Sequence, residues 1–124
     1  MTAFYKQLHR AVAFTAGDNT HLRELLHPDN GDPALGYSLA HASIAPGEHS
    51  LPHTLHGHSE LYYILSGTGR ASVAGVEYAL QADDTLVVPA GAEQAVYNTG
   101  SIPLVFLCIV SPPWQAATET VAKE

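Results

Sequence analysis

No stretch of this chain sustains a helical period. A short β-type run closed by Gly, Pro, Asn or Asp recurs instead, and that alternation most limits what the chain can become. Tyr37–Ala45 closes at Pro46-Gly47, and Leu51–Leu55 and Leu61–Leu65 follow. Arg70–Val73 turns through Ala74-Gly75 into Val76–Leu80, and Thr85–Val88 stops at Pro89-Ala90-Gly91. Gln94–Tyr97 ends at Asn98-Thr99-Gly100, and Leu104–Val110 is the last strong run. Strands this short, spaced by turn residues, predict an all-β sandwich or barrel with little helix. Asn19–Leu26 reads as a helical turn or a strand, and His27–Pro33 as a loop. After Pro112-Pro113, Trp114 is expected to fold back and Gln115–Glu124 to fray. The organisation is one domain over 1–124: an arm of about 1–33, a barrel of about 35–111 and a tail of 112–124.

With 46% hydrophobic residues the chain can fill one core. Only 14% are charged, against roughly a quarter in an average soluble domain. So little charge suggests that some surface is covered in an oligomer, and a homodimer is the expectation. The net charge is -7, and the five cations, Lys6, Arg10, Arg23, Arg70 and Lys123, form no stripe. Nucleic acid is therefore not an expected partner, because phosphate binding needs clustered positive charge. A single cysteine, Cys108, excludes an internal disulfide, and without a signal-like N-terminus the expected compartment is the cytoplasm. Leu104–Val110, the longest apolar stretch, is too short to cross a bilayer, so no membrane partner is expected.

Four of the eight histidines fall between His49 and His58, and Glu60 follows. Imidazole and carboxylate together suit a divalent transition metal. Strand alternation puts residues two apart on one face. Glu60, Tyr62 and Ile64 then point inward if any of them does, while Leu61, Tyr63 and Leu65 form an apolar outer face. Leu104, Phe106, Cys108 and Val110 share a face, so Cys108 and His53 are candidates for one cavity. His41 is a candidate pocket wall. Glu60 and Tyr62 are the candidate proton-moving groups.

Two spaced motifs accompany this cluster. Gly47, five residues, His53, and then Glu60, six residues, Gly67 form the first. Asp83, five residues, Pro89-Ala90-Gly91, two residues, Gln94, three residues and Asn98 form the second. In both, the chain resembles the cupin superfamily, whose motifs would place histidines where Leu55 and Gln94 stand. The longer pattern, with SELYYILSG and FLCIVSPPW, resembles small single-domain microbial cupins. The resemblance implies a cupin-type β-barrel of jelly-roll kind with one metal inside. It implies a ligand set drawn from His53, His56 or His58, Glu60 and Gln94, for Fe, Mn, Ni, Co or Zn. The function it implies is a metal-dependent isomerase, lyase or dioxygenase acting on a small molecule. The alternatives are a non-catalytic module holding a small ligand or metal, and a barrel serving only in assembly.

Overall fold

Nearly every run between Gly and Pro turns forms a strand in the computed structural model, which describes residues 1–123. Glu124, the end of the tail expected to fray, lies outside the described residues. The strands are β1 (Ala13–Thr15), β2 (His21–Leu26), β3 (Ser38–Ile44), β4 (His53–Leu55), β5 (Ser59–Ser66) and β6 (Thr68–Val73). They continue with β7 (Val76–Gln81), β8 (Thr85–Val88), β9 (Glu93–Asn98), β10 (Leu104–Ser111) and β11 (Glu119–Val121). They build two antiparallel sheets, ordered β1-β2-β3-β10-β5-β8 and β11-β4-β9-β6-β7. Chain neighbours such as β3 and β4 lie in different sheets, as in a jelly roll.

Alternation builds the core between the sheets. On β10, Leu104, Phe106, Cys108 and Val110 are buried; on β5, Glu60, Tyr62 and Ile64 are. β10 sets Cys108 opposite Tyr62 and Phe106 opposite Ile64, and the Tyr62 and Phe106 rings meet edge-on at 5.3 Å. On the opposite faces of β5 and β8, Leu65 and Val87 are exposed.

Two motif residues act as structural ties. The Asn98 amide donates to the carbonyls of Ile44 (2.9 Å) and Ile102 (2.8 Å), and its oxygen accepts from Gly100 N–H. Gly67 holds φ +87° with space for no side chain, since a Cβ there would lie 2.6 Å from the Pro103 carbonyl oxygen.

The two ends of the chain differ from expectation. Of the two readings of Asn19–Leu26, the strand is the one formed, as β2. The tail is paired along Glu119–Val121 and not free, because β11 joins β4 along Glu119↔Leu55, Thr120↔Thr54 and Val121↔His53. Its run is only Glu119-Thr120-Val121, and its partner is more than sixty residues away, so no local pattern marks it. Trp114 folds back, its backbone N–H donating to Ser38 Oγ at 3.0 Å.

Candidate active site in the barrel

A cavity of about 240 Å³ opens between the sheets. Its walls are mostly apolar, from Leu22, Leu39, Leu55, Val96, Phe106 and Trp114, and its polar side chains include Asp18, His53, Glu60, Tyr62, Cys108 and Glu119. β4 supplies His53, β5 supplies Glu60 and Tyr62, β10 supplies Cys108, the turn between β1 and β2 supplies Asp18, and β11 supplies Glu119.

Asp18, His53 and Glu119 form the one group of three or more potential metal ligands among the described residues, with one donor atom from each within 4.8 Å of the others. The Asp18 carboxylate is set by its turn: Oδ1 accepts from Thr20 N–H at 3.0 Å, leaving Oδ2 3.5 Å from His53 Nε2. His53 Nδ1 lies 2.8 Å from the Leu51 carbonyl and donates to it. That bond orients the ring and, in neutral imidazole, places the free lone pair on Nε2, facing the carboxylates, as a metal-binding histidine requires. Half-burial pushes the Glu119 carboxyl up; His53 and the Trp114 side chain oppose that shift, and Asp18 adds to it. One imidazole and two carboxylates with open positions fit Mn, Fe, Co, Ni or Zn.

Glu60 is the second feature. Burial drives its pKa up to about 7, with Asp18 adding to the rise and His53, Tyr62 and Gln94 moderating it. Tyr62 OH lies 3.2 Å from Glu60 Oε1 and also bonds Gln94 Oε1. A phenol has one proton to give. When Glu60 is ionised, Tyr62 donates to it; when Glu60 is protonated, Glu60 donates to Tyr62 and Tyr62 donates to Gln94. All three groups are therefore satisfied when Glu60 is protonated, and ionising Glu60 draws the Tyr62 proton away from Gln94. Burial, then the Glu60 and Asp18 carboxylates, hold the Cys108 thiol well above its ordinary pKa, so it stays neutral. Burial, then Glu60, do the same for the Tyr62 phenol.

The structure brings His53, Glu60, Tyr62 and Cys108 to one cavity and takes the other expected residues elsewhere. Gln94 is buried opposite His53 in register, but its oxygen is bonded to Tyr62 and it does not line the cavity. His56 is exposed, with Nε2 2.9 Å from Thr120 Oγ1. Both nitrogens of His58 are engaged, Nδ1 with the Pro112 carbonyl and Nε2 with Thr118 Oγ1, each at 2.8 Å. Neither joins the His53 group. With His27, whose Nε2 donates to the Trp114 carbonyl at 2.6 Å, they fasten the tail that carries Trp114 and Glu119 inward. His41 is out of phase with Ala40 and Ala42 on β3, stands beside Arg23 and does not line the cavity; partial burial and then Arg23 lower its pKa.

Asp18 and Glu119 were missed by sequence reasoning because both sit in segments without strand periodicity. For Asp18 the turn Gly17-Asp18-Asn19 was the available signal; for Glu119 there was none.

Two facing antiparallel sheets around a polar-floored cavity, with the motif glycine and asparagine tying their turns, define a jelly-roll barrel. The cupin domain profile matches residues 40–110, and the chain belongs to the cupin family. An uncharacterized protein of Methanocaldococcus jannaschii is 34% identical over 97 residues, covering 78% of this chain and 77% of that protein. A predicted oxalate decarboxylase from Thermotoga maritima superposes with a TM-score of 0.78 at 21% identity, over 88% of this chain and 99% of that one. A Streptomyces Pac13 variant with uridine superposes at 0.80 and 16% identity, over 99% and 93%. At those identities the two structures speak to the fold alone.

Proposed function

We propose that the cavity is an active site for proton transfer on a small molecule, of the isomerase or lyase kind, assisted by one divalent transition metal. The observation that carries this reading is a carboxyl, Glu60, buried in an apolar cavity and held by Tyr62, in the same chamber as the Asp18–His53–Glu119 group. Those three residues would hold the metal, which when bound polarises a carbonyl or hydroxyl oxygen. With a pKa of about 7, Glu60 carries both protonation states near neutrality and so can give or take a proton. Tyr62 reorients its single proton to match, which keeps the carboxyl aimed in either state. Phe106, Leu55 and Val96 give the transfer an apolar surround.

A second reading, a barrel that holds a ligand without turning it over, is favoured by Leu55 and Gln94 at two histidine positions of the motifs. Two measurements separate the readings. Plasma mass spectrometry of tag-free protein should find near-stoichiometric metal, and Asp18→Asn or Glu119→Gln should lower it sharply. Unchanged metal in both variants sinks the ligand assignment. In D2O the protein should speed deuterium uptake at the α-carbon of cyclohexanone, and Glu60→Gln should abolish that uptake. Binding of the ketone without exchange selects the second reading. The exposed Leu65 and Val87 on the outer sheet face support a homodimer, which sedimentation velocity tests.

A further inference from the structure

The charge of the cavity restricts its ligand more tightly than its shape does. Asp18, Glu24, Glu60 and Glu119 line it, and among the described lining residues there is no Lys or Arg. Of the cations nearest these walls, Arg23 donates to the Leu8 carbonyl at 3.1 Å, Lys6 pairs with Asp32 at 2.7 Å, and Arg10 lines a neighbouring cleft beyond Phe14 and Glu24 and not this cavity. A divalent ion on Asp18, His53 and Glu119 would be balanced by those two carboxylates, with Glu24 still at the wall. Neither state of the cavity offers surplus positive charge to an anion, and low-dielectric walls strengthen the repulsion.

Size and lining give the rest. A dry cavity of about 150 Å³ accepts benzene, so about 240 Å³ takes one ring with a short arm. Phe106 and Trp114 supply flat apolar surface for the ring. Tyr62, His53 and Glu60 supply hydrogen bonds for one hydroxyl or carbonyl at the polar side.

We infer that the substrate or ligand of this barrel is an uncharged ring compound bearing a hydroxyl or carbonyl, and that carboxylates and phosphates are refused. This rests on the cavity being the binding site of the proposed function, and it deepens that reading by naming the ligand class. Oxalate, the substrate in the name of the Thermotoga neighbour, falls in the refused class.

Trp114, the single tryptophan, lines the cavity and reports on its occupancy by fluorescence. The full-length protein is titrated with benzyl alcohol, benzoate, benzylamine and oxalate, first in chelator and then with added zinc. The first two probes match in size and differ in charge. Benzyl alcohol should give a saturable change in both conditions, with benzoate and oxalate weaker by about tenfold or more. Asp18→Asn should narrow the gap between benzyl alcohol and benzoate, and Leu22→Phe, which takes up cavity space and leaves Trp114 the single tryptophan, should weaken binding of every probe. Benzoate or oxalate binding as tightly as benzyl alcohol in either condition overturns the inference. A saturable response to benzylamine alone, or to no probe, overturns it too. Failure of Glu60→Gln to alter deuterium exchange would defeat the proton-transfer reading while leaving this ranking of ligands intact, so the two can fail separately.

Discussion

Replacing Glu60 by Gln tests the buried carboxyl directly. The substitution preserves shape and keeps an oxygen for Tyr62, but removes the ionisation. Glu60 has a pKa of about 7 in the folded chain against an ordinary value of 4.5. Between those values the native state holds a proton that the unfolded state has released, so stability falls as pH rises. The stabilisation from the raised pKa is fully present below about 4.5 and gone above about 7. A shift of that size corresponds to about 3 kcal/mol at 1.36 kcal/mol per pH unit, and some 2–3 kcal/mol of it falls between pH 5 and 8.5. Other groups, Glu119 and His41 among them, also titrate, so the quantity to read is the difference between the two proteins. Urea unfolding in chelator at pH 5 and pH 8.5 should show Glu60→Gln gaining about 2–3 kcal/mol on the wild type across that range. Parallel pH profiles would refute the reasoning, because they would mean that Glu60 ionises as readily folded as unfolded.

Gly67→Ala should cost about 2 kcal/mol or more, since φ +87° and the Pro103 carbonyl both oppose a Cβ; thermal unfolding would show it, and an unchanged midpoint would contradict the close approach. His58→Ala should lose about 1–3 kcal/mol of tail attachment, seen as faster carboxypeptidase trimming and a red-shifted Trp114 emission. Trimming at the wild-type rate would show that the tail is held without it.

The barrel was legible in the sequence because its strands alternate. Tyr62 and Ile64 on β5 and Phe106 on β10 declare their inward face by period two, and each run ends at a turn residue that a strand interior rejects. His53, Glu60 and Cys108 reach the cavity by the same rule, and the motif spacings carried the family. His41 is the exception among the expected pocket residues: Ala40 and Ala42 take the inward face of β3, and His41 between them does not line the cavity.

What the sequence determined by itself is the set of faces on the strands it patterned, β5 and β10 above all: which residues look in, and where the run must stop. Local chain geometry sets both. Which inward residues meet was decided only by the tertiary structure. His56 and His58 sit within five residues of His53, but a strand and its turn send their rings to the tail hydroxyls of Thr120 and Thr118. Asp18 and Glu119 lie 35 and 66 positions from His53, yet they stand beside it, because the β1–β2 turn and β11 both close over β4. The metal-ligand group is an outcome of strand pairing between distant segments, and no local spacing in the chain encodes that.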